Sequence, residues 1–114
     1  MPTDNYIIHA NAWYWGMSID ILRNDGLGLI GIKFDDNYPT TAFLCDLTVY
    51  EHTRNQGMAP GLMNKAFDVA RQHKKVFAQL CVDKTNERLV NWYKRWGFSI
   101  LSKDEHEYTM IKTL

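Results

Sequence analysis

The run Arg54-Asn55-Gln56-Gly57-Met58-Ala59 lies between a strand-like and a helix-like segment, and its residue types suit it to holding an anion. A strand that breaks into a glycine-bearing turn and enters a helix aims several unpaired backbone N–H groups at one point. The helix dipole adds positive potential there, worth about 0.3–1 kcal/mol per favourable charge. Such a cradle suits a phosphate or pyrophosphate, and Gly57 lets the backbone approach it closely. On local sequence alone, an ordinary β-to-α turn accounts for the run equally well. The turn lacks the Gly-Lys-Ser/Thr ending of a P-loop, so nothing in it reaches a γ-phosphate. It also lacks the three-glycine spacing of a dinucleotide fold and the acidic residue about twenty positions on that would hold ribose.

A second candidate is Asn86-Glu-Arg-Leu-Val-Asn-Trp-Tyr93-Lys-Arg-Trp-Gly97-Phe98. Asn86 opens a helix, where its amide can cap N–H groups or bind a ligand. Tyr93 follows two helical turns later and projects from the same face. A plain N-cap and a core aromatic are the competing readings of these two residues.

The elements that must position both candidates can be read from period and punctuation. Tyr6 to Trp15 reads as a strand rich in β-branched and aromatic residues. The runs from Met17 to Arg23 and from Leu27 to Phe34 flank Asn24-Asp25-Gly26, a hairpin signal because a tight turn needs positive φ. Phe43 to Tyr50 is a further strand. From Pro60 to Lys74 the apolar residues Leu62, Met63, Ala66, Phe67 and Ala70 recur as a helix face requires, and Pro60 suits its first turn. Val76 to Val82 reads as a strand buried on both faces. Asn86 to Trp96 forms the second helix and Gly97 ends it. Two strands, Phe98 to Leu101 and Tyr108 to Leu114, close the chain. The order β-β-β-β-α-β-α-β-β predicts an α/β protein with helices packed on a mixed sheet, formed by residues 1–114 as one domain.

Thirteen basic residues balance thirteen acidic ones, so no global field attracts nucleic acid or an anionic membrane. No apolar run is long enough to cross a bilayer, and the first residues lack the pattern of a signal peptide. Cys45 and Cys81 stand alone in strand-like segments without the spacing of a zinc site, which predicts two reduced core thiols in a cytoplasmic protein and no metal. Trp13-Tyr14-Trp15 sets three large rings in succession. They cannot all face inward from one strand, so at least one should line a pocket or an interface.

Taken together, in order, these features resemble the GNAT superfamily of N-acetyltransferases from about Ile19 to Leu114. The resemblance is carried by the hairpin from Leu22 to Gly31, the strand Leu47-Thr48-Val49 and the loop Arg54-x-x-Gly57-x-Ala59 followed by Leu62. Asn86, Tyr93, Gly97-Phe98 and the last strand Tyr108-Thr-Met-Ile-Lys112 complete it. It implies a mostly antiparallel sheet with a splayed central parallel pair, and acetyl-CoA as cosubstrate without a metal. Leu47, Thr48 and Val49 would pair their backbone with pantetheine. Arg54, Asn55, Gln56, Gly57, Met58 and Ala59 would hold the pyrophosphate. Asn86 would bond the pantetheine arm, and Tyr93 would face the leaving sulfur.

The resemblance also implies transfer to a primary amine, of a small molecule or a protein, by direct attack. Asp46 is the first candidate to act on that amine, since it directly precedes the Leu47-x-Val49 segment, with Glu51, His52 and Asp83 as rivals. Only some sixteen residues precede the hairpin strand, too few for a strand and the family's usual two helices. The acceptor wall would then be missing or supplied by a second subunit, as in a homodimer. The other functions compatible with the chain are a catalytically degenerate acyl-CoA-binding regulator and a non-enzymatic interaction module.

Overall fold

The computed structural model describes residues 6–49 and 58–114. Its strands are β1 (Tyr6–Trp13), β2 (Gly16–Arg23), β3 (Gly28–Asp35), β4 (Thr41–Val49), β5 (Phe77–Asp83), β6 (Ser99–Lys103) and β7 (Glu107–Thr113). Helix α1 (Met58–Gln72) precedes β5, and α2 (Glu87–Arg95) follows it. The strands form one sheet in the order β1-β2-β3-β4-β5-β7-β6, antiparallel everywhere except between β4 and β5. The predicted element order is the observed one. β1 stops at Trp13, because Tyr14 and Trp15 make the turn into β2.

Alternation along the strands sends one set of side chains into a single core. Ile19, Ile21, Ile30, Ile32, Phe34, Ala42, Leu44, Ala78, Leu80, Val82 and Met110 are all buried. Both helices pack into that same core. From α1 it receives Met58, Leu62, Met63, Ala66, Phe67, Val69 and Ala70, and from α2 Val90 and Tyr93. Phe67 reaches Trp96 and Phe98 at ring separations of 5.8 and 6.3 Å, which joins the two helices.

Both described helices therefore cover one face of the sheet, and this corrects the reading of β5. Ala78, Leu80 and Val82 are buried, whereas Cys81 and Asp83 on the other face are exposed. The two cysteines are correspondingly not core thiols: Cys45 is half-buried and Cys81 is exposed.

The end of α2 is fixed by its backbone. Gly97 has φ of 96°, the Phe98 N–H donates to the Tyr93 carbonyl at 3.1 Å, and the Gly97 N–H donates to that of Lys94 at 3.0 Å. These two bonds form a Schellman motif, whose usual apolar contact is present as the Tyr93 and Phe98 rings 5.7 Å apart. Gly97→Ala places a Cβ in a left-handed backbone and 2.9 Å from Lys112 Nζ. It is expected to cost about 1–2 kcal/mol, read as a lower urea midpoint with an unchanged slope.

Candidate functional site

β4 and β5 pair only through Thr41↔Phe77, Ala42↔Ala78 and Phe43↔Gln79. Beyond that point residues 44–49 pair with β3 alone and residues 80–83 with β7 alone. The facing edges of the two strands are thus left to diverge, with backbone donors and acceptors along the gap. This is the splayed parallel pair the sequence led us to expect. An extended ligand could add to those edges as a strand does.

Asp46 gives β4 its course at the gap. Gly31 pairs with Cys45 and Leu29 with Thr48, so Ile30 alone opposes both Asp46 and Leu47. This is a β-bulge, and Asp46 is its extra residue, with φ of 56°. Aspartate is among the few non-glycine residues that tolerate such a backbone. The bulge resets the alternation: Leu44 faces the helices, and so does Leu47, three residues later, which packs against the core. Thr48 turns to the other face and is exposed. Two apolar residues spaced by three inside a strand were the sequence signal for this bulge.

Two cavities meet at the gap. The smaller, about 60 Å³, is lined by Ile30, Leu47, Met63 and Tyr93, and also by Leu44, Cys45, Asp46, Leu80 and Cys81. The larger, about 760 Å³, shares those last five residues and lies toward the sheet face opposite the two described helices. Trp15, Lys33, Asp35, Tyr38, Phe43 and Gln79 complete its lining. One of the three successive rings, Trp15, does line a pocket.

The expected site residues divide accordingly. Asp46, Leu47 and Tyr93 come together around the smaller cavity. Tyr93 is buried, and burial raises its phenol above the ordinary value. Val49 pairs with Gly28 through its backbone. Met58 and Ala59 open α1, the first buried and the second half-buried against the core. Arg54, Asn55, Gln56 and Gly57 lie outside the described residues, as do Glu51 and His52.

Asn86 caps α2, its Oδ1 accepting from the Leu89 N–H at 3.2 Å, and it lines neither cavity. Asp83 also lines neither. Thr85 donates to it from Oγ1 at 2.7 Å and from its N–H at 2.8 Å, which holds the carboxyl below its usual range and makes it a weak base. Sequence reasoning missed the two cysteines at the junction. Burial, reinforced by the Asp46 carboxylate, raises the Cys45 thiol above its ordinary value, so little thiolate forms near neutral pH.

A seven-stranded mixed sheet that parts at its one parallel pair, with both cavities at the parting, defines a GNAT-like α/β fold. Residues 5–98 match the Acetyltransferase (GNAT) family, and the chain belongs to that family. Among solved structures it is similar to a GNAT family acetyltransferase from Elizabethkingia anophelis with acetyl-CoA bound. The TM-score is 0.75 at 14% identity, over 98% of this chain and 100% of that one. It is also similar to the PaiA N-acetyltransferase from Thermoplasma acidophilum in complex with coenzyme A, with TM-score 0.73 and 18% identity. That match covers 85% of this chain and 60% of the other. Ard1 from Thermoplasma volcanium matches at TM-score 0.71 and 21% identity, over 85% of this chain and 70% of that one. These likenesses are of fold.

The position of Tyr93 makes a titration prediction. A phenol whose folded pKa lies above its unfolded value keeps its proton in the folded chain after the unfolded chain has lost it. Stability is then present below the unfolded value, about 10, and falls as pH rises from there toward the folded value. Phenolate absorbance in the folded protein should include a step above the ordinary range that belongs to Tyr93. Tyr93→Phe should remove that step and flatten the alkaline loss of stability.

Proposed function

We propose that this chain transfers an acetyl group from acetyl-CoA to a primary amine that attacks the thioester directly. The observation that carries the reading is the gap between β4 and β5, with a small cavity ending at Tyr93 on the helix side and a large one on the opposite face. The coenzyme-bound forms of the Elizabethkingia anophelis and Thermoplasma acidophilum relatives support it.

Acetyl-CoA supplies an activated thioester whose leaving group is a thiolate. The residues present suit such a group: free backbone edges beside Leu47, Thr48 and Val49 match the amides of a pantetheine arm, and the start of α1 at Met58 and Ala59 can receive negative charge. The Asn86 amide nitrogen is not used in the cap and remains available to that arm. Arg54, Asn55, Gln56 and Gly57 complete the proposed pyrophosphate cradle.

Tyr93 acts as a hydrogen-bond donor in this reading. Proton transfer from an ordinary phenol, near pKa ~10, to a thiolate whose thiol is near ~8.5 is uphill by about 2 kcal/mol. Burial raises the phenol further, so the proton stays on oxygen while the O–H stabilises charge developing on sulfur. An alkylammonium near pKa ~10.4 is neutral about once in ~2500 at pH 7, so the acceptor needs a group to take its proton. In this reading Asp46, which lines both cavities, takes that proton. The raised Cys45 thiol is a poor nucleophile, which favours direct attack over an acyl-cysteine.

Acetyl-CoA at about 100 times its dissociation constant should stabilise the protein by about 2.7 kcal/mol, seen as a higher Tm, while NAD and ATP do far less. A flat response to millimolar acetyl-CoA would remove the reading. Release of free thiol with an amine separates transfer from binding alone. On an amine that is turned over, Tyr93→Phe should keep the ring contacts and the KM for acetyl-CoA but lower kcat by roughly 30- to 1000-fold. Wild-type kcat in that variant would make Tyr93 a packing residue.

A further inference from the structure

The larger cavity is polar at one end and aromatic at the other. Asp46, Cys45 and Cys81 lie along the gap, Phe43 stands at the last paired rung before it, and Trp15, Tyr38, Lys33 and Asp35 complete the lining with Gln79, Leu44 and Leu80. We propose that this cavity takes a primary amine carried by a short linker on an aromatic body, with the amine at Asp46 and the ring among Trp15, Tyr38 and Phe43. As the identity of the acceptor, this rests on the acyl-transfer reading above.

The three rings are held in place before any ligand arrives. Trp15 stacks on Trp13 with centroids 6.3 Å apart and planes 6° apart, and Trp13 Nε1 donates to Ser18 Oγ at 2.8 Å. Tyr38 meets Phe43 edge to face at 5.5 Å. The loop carrying Tyr38 is tied by the Tyr38 N–H to the Asp35 carbonyl, the Thr41 N–H to the Tyr38 carbonyl and Lys75 Nζ to the Pro39 carbonyl. Yet Tyr38 is 56% exposed, and Trp15 and Phe43 are half-buried. Fixed aromatic surface left open to solvent is preorganised to receive a flat apolar group.

Register sets the length of the acceptor. Phe43 lies three residues before the bulge residue Asp46 on β4, at most about 10 Å at roughly 3.3 Å per residue. A ring resting on Phe43 and a two-carbon linker cover that interval together with the reach of the Asp46 side chain. Lys33 pairs with Phe43 across β3 and β4, and Asp35 lines the same cavity, its Oδ1 accepting from the Asn37 N–H at 2.9 Å. These two charges offset one another, so the three rings give that end its character. Among the described residues, Asp46 is the one acid that lines both this cavity and the smaller one.

The test compares thiol release from acetyl-CoA with 2-phenylethylamine, ethanolamine, putrescine and a short peptide bearing a free N-terminus. The expected result is a kcat/KM for 2-phenylethylamine at least about tenfold above each of the others, as contact with two or three rings would give. Tyr38→Ala should bring the ratio of 2-phenylethylamine to ethanolamine to within about threefold, and Tyr38→Phe should restore it. Equal or better turnover of putrescine, ethanolamine or the peptide would overturn the inference, as would an unchanged ratio in Tyr38→Ala. If no amine releases thiol, the acyl-transfer reading fails instead, and calorimetry in the presence of coenzyme A decides the ring site separately. Saturable binding of 2-phenylethylamine that Tyr38→Ala abolishes upholds the site, and absence of binding overturns it.

Discussion

The rest of the molecule depends on the early parting of β4 from β5. A parallel pair in the middle of a sheet would ordinarily continue its ladder, because each abandoned backbone group loses a partner worth about 0.5–1.5 kcal/mol. Here the pairing stops after Phe43↔Gln79, although β4 runs on to Val49 and β5 to Asp83. Each strand keeps its outer neighbour, β3 for one and β7 for the other, and so holds its course without the inner pairing. The gap stays open because large side chains from the helices stand against it: Met63 of α1 and Tyr93 of α2 line the small cavity there.

Those helical side chains are held in turn by devices that act on the backbone. The Schellman motif at Gly97 sets where α2 ends and packs Phe98 against Tyr93. Trp92 and Phe98 contact the Tyr93 ring at 5.3 and 5.7 Å, so the hydroxyl is directed by a cluster of rings. On the other side of the gap the bulge at Asp46 does two things at once. It brings Leu47 back into the core, and it leaves a carboxylate at the junction of the two cavities. The strained φ of that residue is tolerated because the packed Leu44 and Leu47 on either side fix the chain.

The architecture was legible in the sequence because its signals are local. The Asp25-Gly26 turn, the helical spacing of Leu62, Met63, Ala66, Phe67 and Ala70, and the cap at Gly97 each act within a few residues. What sequence reading missed depends on which face of the sheet the helices cover. An apolar run such as Val76 to Val82 predicts burial on both faces only if both faces are covered. With α1 and α2 on one side, Cys81 and Asp83 are left exposed. For the same reason the aromatic cavity was invisible: Trp15, Tyr38 and Phe43 come from a turn, a loop and a strand that only the sheet register brings together.

The sheet face opposite the two described helices carries the larger cavity. The described residues supply a wall there, built within the sheet and its connecting turns. Trp13 and Trp15 stack at the β1–β2 turn, Tyr38 leans on Phe43 from the β3–β4 loop, and Lys75 ties that loop to the end of α1. Rings fixed in this way leave preformed aromatic surface on that face, with Tyr38 56% exposed. β4 thus carries both the unpaired backbone edge at the gap and, through Phe43 and Asp46, part of the lining of the larger cavity.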